Sequence, residues 1–338
     1  MKFPSWPVVV LAAISAGSAP ARPIDAAERR AIITGAAQLI EDRYVYADRG
    51  QEFAKQLRAA AARDIFRSAT DTEAFAQAFT DHLMVLSKDG HFSVDYREEP
   101  EASTDSAGAD FVAAELEKWY GRGVNHGFEA VRRLDGNVGY LDLTVFAPLR
   151  MAADLATGAM TMLAQSDALI VDLRNNGGGM SEMVLFLSAY LLDGPIEMSA
   201  EYERPTRKML RFTSPAWVPG RHFSSSKPVY VLTSRKTFSA AEAFAYDLQA
   251  LGRVTVVGET SGGGAHPFEY RPISNQFFLS LPERRSINPI TCTDWQGKGV
   301  KPDVEVPADR ALEEALALAR KAAPKPFRPA AFRTCPPV

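Results

Sequence analysis

The sequence predicts an α/β fold, with a core of repeated strand-turn-helix units preceded by a cap of three helices. An apolar strand, a polar or glycine-rich turn and a helix follow one another at 168–192 and again at 228–251, which predicts the core. Helical periodicity across 26–86, broken by short polar stretches, predicts the cap. The 338 residues are 46% hydrophobic and 23% charged, a composition typical of a globular chain.

The first residues have the pattern of a secretory leader. Lys2 precedes an apolar run at 8–16 that is too short to span a bilayer, and an A-x-A cleavage pattern ends at Ala21. We therefore expect residues 1–21 to be a signal peptide and the protein to be periplasmic or secreted. Membrane contact is expected only through a leader that remains uncleaved.

The net charge bears on nucleic-acid binding, and the two cysteines bear on disulfide formation. The formal net charge is -3, which gives no reason to expect nucleic acid as a partner. In a non-reducing compartment Cys292 and Cys335 could form a disulfide that pins the C-terminal tail. Two unpaired thiols are the alternative, and neither cysteine has the surroundings of a catalytic residue.

The chain divides into five predicted segments. After the signal peptide they are a helical cap (22–97), an acidic, turn-rich linker with a helix (98–126), the α/β core (127–325) and a C-terminal tail (326–338). The helices of the cap and linker are predicted near 31–44, 53–65, 72–86 and 110–120. In the core we predict strands at 128–134, 138–145, 168–174, 229–232 and 254–257, helices at 151–165, about 180–192 and 239–251, and a polar hairpin at 196–223.

Ser239 is the candidate nucleophile, because it lies where a buried strand ends in a tight turn and a helix begins. In α/β proteins such a turn holds a nucleophile at a helix N-terminus, where free N–H groups and the helix dipole favour a developing anion. Ser239 and Glu242 also match an S-x-x-E capping box, a purely structural role.

The glycine run at 177–179 is expected beside Ser239 if the two strand-turn-helix units are neighbours. The backbone N–H groups of Gly178 and Ala240 would then be donors to the oxyanion formed when a serine attacks a carbonyl. A phosphate-binding loop is the alternative, but the run has neither a Gly-Lys-Ser/Thr ending nor G-x-G-x-x-G spacing.

Four short motifs follow one another along the core. They are DLRNNGGG at 172–179, TFSAAE at 237–242, VGETSGGG at 257–264 (the glycine-rich loop) and GVKPD at 299–303. Together they resemble the motifs of the tail-specific, or C-terminal-processing, serine peptidase family. Segments at 125–128, 138–141, 264–267 and 295–300 are similar to the branch that includes interphotoreceptor retinoid-binding protein.

This resemblance implies a crotonase/ClpP-like core and serine-type hydrolysis of peptides or unfolded proteins, with no metal or organic cofactor. The chain departs from the family in two respects. Only residues 92–137 lie between cap and core, too few for the PDZ module of typical members. The glycine-rich loop has Gly264 at the position of the family's catalytic lysine, so a different base has to activate Ser239.

Histidine, with an ordinary pKa of about 6.5, is the common activator of a serine hydroxyl. His91, at the junction of cap and core, resembles the histidine of the tricorn-type relatives and is the preferred candidate. His266, two places past Gly264, is the second candidate, and purely structural roles for both are the third possibility. The position that orients the histidine in those relatives is Gln296 here, in place of a glutamate. Other carboxylates that could orient the base are Asp294, Glu259 and Glu283.

Two functions remain open from the sequence. The first is a serine-type endopeptidase in which Ser239 attacks and a histidine accepts its proton. The alternative is a non-catalytic protein that binds a hydrophobic ligand, such as a retinoid or fatty acid, on the same fold. A peptide substrate would add as a strand to an exposed edge, at the 196–223 hairpin or the strand at 140–146. The sequence predicts neither the cleavage specificity nor the oligomeric state.

Overall fold

The computed structural model describes residues 21–97 and 116–335. The expected signal peptide up to residue 20, the linker at 98–115 and the start of the helix predicted at 110–120 lie outside the described residues. Residues 116–120 are helical, as expected for the end of that helix.

The described elements agree closely with the predicted ones up to about residue 260. The helices are α1 (Ala26–Arg43), α2 (Ala47–Ala62), α3 (Thr72–Ser87), α4 (Leu149–Leu163), α5 (Ser181–Ala189), α6 (Ala240–Ala250) and α7 (Ala311–Lys321). The strands are β1 (Ser93–Tyr96), β2 (Phe128–Leu134), β3 (Val138–Leu143), β4 (Ala168–Asp172), β5 (Glu197–Glu203), β6 (Lys208–Thr213), β7 (Val229–Thr233), β8 (Thr255–Gly258), β9 (Phe268–Pro272), β10 (Phe277–Pro282), β11 (Arg284–Ile287) and β12 (Val304–Glu305).

A six-stranded sheet in the order β12-β8-β7-β4-β3-β2 forms the centre of the core. Its strands are parallel except β2, which runs antiparallel to β3 at one edge. Every residue of β4 and β7 is buried, because helices cover both faces. Helices α4, α5 and α6 pack on one face and α7 on the other. The mixed α/β fold with a helical N-terminal region is thereby confirmed.

The cap shares its apolar interior with a strand from the second half of the chain. Side chains of α1, α2 and α3 pack in one cluster with Phe277, Leu279 and Leu281 of β10. β10 pairs with β1 on one side and with β9 on the other, in a small antiparallel sheet. The loop between α3 and β1 is therefore held at the boundary of cap and core.

The sheet edges differ in part from the expectation. β3 pairs with both β2 and β4, so the predicted free edge at 140–146 was wrong. The predicted hairpin is present as β5 and β6, with β11 on the other side of β5. β6 is an edge of that sheet, and most of its residues are exposed.

The C-terminal segment lies along the core and is fixed at its end. Cys292 and Cys335 form a disulfide, one of the two possibilities that the sequence left open. Backbone N–H groups of the tail donate to the carbonyl oxygens of Ser226, Leu251 and Pro289. Among the described helices, none combines the length and apolar character that a bilayer-spanning helix needs.

Candidate active site

Ser239 lies at the N-terminus of α6, after the turn that follows β7. Its backbone has φ of 53° and ψ of -120°, a conformation that non-glycine residues adopt only under local constraint. Phe238 N–H donates to the carbonyl of Asn176, which fixes this turn to the one after β4. The result is the sharp strand-turn-helix geometry that presents a nucleophile above a sheet.

Glu242 joins the Ser239 turn to the glycine-rich loop. Its fully buried carboxylate accepts from Ser239 N–H (2.9 Å), Ser261 Oγ (2.5 Å), Gly263 N–H (2.7 Å) and Gly264 N–H (2.8 Å). Burial raises the pKa of Glu242 to about 7, against the opposing effect of these donors. The capping box suggested by the sequence is present, and its carboxylate also shapes the loop around the site.

The structure brings His91 to Ser239. His91 Nε2 lies 3.1 Å from Ser239 Oγ, a hydrogen-bond distance. The ring is buried and packs against Phe238 and Phe268, with centroid separations of 4.9 and 5.7 Å. A neutral imidazole in this position can accept the serine proton at Nε2.

Asp89 is a functional candidate that the sequence analysis missed. Its buried carboxylate lies 3.3 Å from His91 Nδ1 through Oδ1 and 2.6 Å from His266 Nδ1 through Oδ2. Burial alone would raise the pKa of Asp89, but the hydrogen bonds from His266 and His91 outweigh it and lower that pKa below its usual range. A charged carboxylate is thus held between two imidazoles.

Gln296 and the other predicted orienting residues do not contact His91. Gln296 Oε1 accepts from Ala265 N–H at 2.7 Å, so it holds the glycine-rich loop and not the base. The remaining candidates bind elsewhere: Asp294 to the N–H of Gln296, Glu259 to the N–H of Arg235, and Glu283 to Arg43 and Arg271. The expectation that one of these residues orients the base was wrong, because Asp89 already occupies the Nδ1 side of the ring.

The His91 ring lies where a side chain at position 264 would begin. A Cβ built on Gly264 would be 2.7 Å from His91 Cε1 and 2.2 Å from Phe238 Cζ. A lysine at this position, as in the family that the motifs resemble, could not coexist with His91 as placed. Glycine at 264 and histidine at 91 are therefore sterically coupled.

The predicted oxyanion donors lie beside Ser239 but differ in availability. A Cβ on Gly178 would be 2.8 Å from Ser239 Cβ, which shows how closely the glycine run approaches the serine. Gly178 N–H already donates to Asn176 Oδ1 at 2.8 Å. Ala240 N–H has no hydrogen-bond partner within residues 21–97 and 116–335. Of the two N–H groups beside the serine, that of Ala240 is thus free and that of Gly178 is already engaged.

The site residues form no metal centre. Across the described parts of the chain, no group of three or more His, Cys, Asp or Glu side chains is arranged to hold a metal ion. The two histidines near Ser239 instead share one carboxylate.

Comparison with protein families identifies the chain. The model of peptidase family S41 matches residues 137–306, about half of the chain, and spans the Ser239 turn and the glycine-rich loop. The chain belongs to peptidase family S41. A second model, described as the N-terminal domain of Peptidase S41 in eukaryotic IRBP, matches residues 26–118. Peptidases of family S41 are serine hydrolases.

Curated S41 relatives are similar over part of their length. The chain is 31% identical over 132 residues to the carboxy-terminal processing protease CtpA of Bacillus subtilis, covering 38% of this chain and 26% of the relative. It is 28% identical over 180 residues to a carboxy-terminal-processing protease of Bartonella bacilliformis, covering 52% of this chain and 40% of the relative. The chain thus spans less than half the length of these relatives.

A solved S41 structure shows the same fold over most of the chain. The photosystem II D1 C-terminal processing protease superposes with a TM-score of 0.51 and 17% identity, covering 88% of this chain and 98% of that one. At this identity the likeness concerns the fold alone.

Proposed function

We propose that this chain is a serine-type endopeptidase in which Ser239 is the nucleophile and His91 the general base. The observation that carries the proposal is the 3.1 Å separation between Ser239 Oγ and His91 Nε2. Asp89 fixes the base, because hydrogen bonding at Nδ1 leaves Nε2 free to accept the serine proton. The strained backbone of Ser239 supports the same assignment, since such strain is common at reactive residues.

The proposed reaction follows the acyl-enzyme route. Ser239 Oγ attacks the scissile carbonyl carbon while its proton moves to His91 Nε2, and the negative charge of Asp89 stabilises the imidazolium. Ala240 N–H donates to the oxyanion, and Gly178 N–H contributes by sharing its hydrogen with Asn176 Oδ1. His91 then protonates the leaving amine. It afterwards takes a proton from the water that attacks the acyl ester, and returns that proton to Ser239 Oγ as the acid product leaves.

The proposed substrate is a peptide or an unfolded protein segment. Two relatives are named as carboxy-terminal processing proteases, which supports a polypeptide substrate without defining the cleaved sequence. We place the protein in the periplasm or outside the cell. The Cys292–Cys335 disulfide supports this location, because disulfides persist in oxidising compartments.

The hydrophobic-carrier alternative is not favoured by the site. A site for a hydrophobic ligand is lined mainly by hydrophobic and aromatic side chains, whereas the Ser239 hydroxyl lies at hydrogen-bond distance from an imidazole. The imidazole is in turn bound to a buried carboxylate, an arrangement that a hydrophobic ligand would not use.

Reaction with a fluorophosphonate probe tests the nucleophile. The wild-type protein is expected to be labelled and to hydrolyse unfolded casein, and Ser239→Ala is expected to lose both. Ser181→Ala, at the exposed N-terminus of α5, is the matched control and should retain both. His91→Ala should slow labelling by about a hundredfold or more, the usual effect of losing a general base.

Labelling that persists in Ser239→Ala would exclude this serine as the nucleophile. A folded wild-type protein with neither labelling nor hydrolysis would exclude peptidase activity and leave a binding function. Full activity of His91→Ala would overturn the assignment of the base alone.

A further inference from the structure

We propose that His266 is a positioning residue, which acts on the proposed Ser239–His91 pair by holding the far side of the Asp89 carboxylate. This inference rests on the proposed function and deepens it. In place of a triad, the site then contains a chain of four groups, Ser239–His91–Asp89–His266.

The geometry around Asp89 carries the proposal. Each carboxylate oxygen faces one imidazole: Oδ1 lies 3.3 Å from His91 Nδ1, and Oδ2 lies 2.6 Å from His266 Nδ1. The contact to His266 is the shorter of the two, and its ring is 1% exposed. The backbone N–H of His91 also donates to Oδ1, at 3.1 Å, whereas Oδ2 is held by His266. The orientation of the carboxylate, and with it that of the His91 ring, therefore depends on His266.

The hydrogen-bond pattern fixes the tautomer of His266. Asp89 is an acceptor, so His266 Nδ1 carries the hydrogen of their bond. His266 Nε2 is buried with no hydrogen-bond partner among the described residues. Since no acceptor is present to receive a hydrogen from Nε2, we infer the tautomer with Nδ1 protonated and Nε2 bare.

Among the residues that the structure describes, Asp89 is the one carboxylate that is hydrogen-bonded to His266. The titratable groups packed on its ring are Asp89 and two tyrosines from the segment after α1, Tyr44 and Tyr46, with centroid separations of 6.5 and 5.4 Å. Burial raises the pKa of Tyr44, so its hydroxyl is neutral. Arg285 lies over the Tyr46 ring at 5.9 Å, and Arg49 acts on Tyr44 through its charge.

A second imidazole on Asp89 has two physical consequences for the base. A buried carboxylate with only His91 as donor would leave Oδ2 without a strong hydrogen bond, which is costly in a dry site. His266 satisfies that oxygen and shares the negative charge. Without the His266 donor, the negative charge of Asp89 acts on His91 alone. That charge favours the protonated form of His91, which cannot accept the serine proton.

Paired substitutions at His266 test this role. His266→Phe keeps a ring and removes the Nδ1–H donor, and His266→Asn restores an amide N–H near the position of Nδ1. For His266→Phe we expect kcat to fall about tenfold or more with KM changed by less than about threefold, the pattern of a lost transition-state interaction. The acidic limb of its kcat/KM profile should move to higher pH by about half a unit or more.

His266→Asn should recover most of kcat and return the acidic limb towards the wild-type pH. His82→Phe, a half-buried histidine of α3 packed on Phe66, is the matched control and should change neither kcat nor the limb. A purely structural role for His266 predicts an unmoved limb in His266→Phe, or no recovery in His266→Asn, and either result would overturn the proposal.

A measurement on the wild-type protein keeps the proposal falsifiable if His266→Phe does not fold. With ¹⁵N-labelled histidine, the imidazole of His266 should show a protonated Nδ1 and a bare Nε2 at neutral pH, and the opposite tautomer would refute the inferred bond to Asp89. This readout does not depend on catalysis. The expected tautomer in a protein without fluorophosphonate labelling would therefore mean that the peptidase proposal had failed, while the Asp89 bridge remained.

Discussion

At Glu242, burial and hydrogen bonding have opposite effects on the pKa of a carboxyl group. Its carboxylate accepts four hydrogen bonds, from the Ser239 turn and from the glycine-rich loop, yet burial raises its pKa from 4.5 to about 7. The charged form is the one that can accept from all four donors. Glu242 therefore makes the free energy of unfolding fall as the pH rises, whereas a salt-bridged carboxylate makes it rise.

We predict a specific pH dependence of stability for Glu242→Gln. Between pH 4.5 and about 7 the folded protein binds more protons at Glu242 than the unfolded chain does, so this residue lowers the free energy of unfolding as the pH rises. Across that window the wild-type protein should lose on the order of 3 kcal/mol relative to Glu242→Gln. Urea unfolding at pH 5 and pH 8 measures the difference.

Two controls separate this effect from others. The pKa of Asp247 is also raised to about 7 by burial, but Asp247 is present in both proteins and cancels in the comparison. Glu313→Gln, on the exposed side of α7, should leave the pH dependence unchanged. Parallel stability curves for the wild type and Glu242→Gln would contradict the raised pKa.

Among the residues of the candidate site, the sequence predicted Ser239 but not Asp89. Ser239 was found because a buried strand, a turn and an S-x-x-E pattern are contiguous. Asp89 was missed, because Ser87-Lys-Asp-Gly-His91 resembles an ordinary turn and an aspartate two places before a histidine is unremarkable in sequence. Its second partner, His266, is 177 positions away along the chain, so only the fold reveals the shared carboxylate.

At the scale of elements, the glycine-rich loop packs directly against His91, the proposed base. We predict that Gly264→Ala displaces His91 and Phe238, because the new Cβ would lie 2.7 and 2.2 Å from their ring atoms. The backbone at 264 needs no left-handed conformation, so the effect is steric. Labelling of Ser239 by a fluorophosphonate should slow about tenfold or more, since sub-ångström misplacement of a base has effects of this size.

Gly158→Ala in α4 is the matched control for this substitution. Its Cβ would meet no atom within 4 Å, and alanine in a helix is favoured over glycine by roughly 0.5–1 kcal/mol. That variant should be slightly more stable and label normally. Normal labelling of Gly264→Ala would mean that the His91 ring is not held against the loop.

Strands and helices that have a clear pattern in their own sequence could be predicted. Strands that form by pairing with a segment far away along the chain could not. The apolar runs of β4 and β7 indicated buried parallel strands, and both are fully buried. No strands were predicted between 265 and 290, although β9, β10 and β11 lie there. β10 is wholly buried because it pairs with β1 beneath the cap, a contact between segments about 180 positions apart in sequence.

On the scale of the whole molecule, the site depends on how the cap docks onto the core. Asp89 and His91 follow α3 of the cap, whereas Ser239 and the glycine-rich loop belong to the core. Arg43 at the end of α1 is paired with the buried Glu283, and Arg204 donates to the carbonyls of Tyr44 and Glu41. These contacts hold the two parts together around the proposed catalytic groups.

The disulfide joins the C-terminal tail to the segment after β11 and includes no residue of the proposed active site, so its removal should lower stability more than activity. Cys292 and Cys335 are 43 positions apart, and closing a loop of this length stabilises a fold by about 4 kcal/mol at most. We predict that the double variant Cys292→Ser/Cys335→Ser loses about 2–4 kcal/mol in urea unfolding. Labelling of Ser239 in the folded protein should stay within about threefold of the wild type, because Trp295 Nε1 still donates to Gly264 O and Gln296 still accepts from Ala265. A large loss of labelling without loss of stability would show instead that the disulfide holds the glycine-rich loop in place, and the reduced wild-type protein should then behave in the same way.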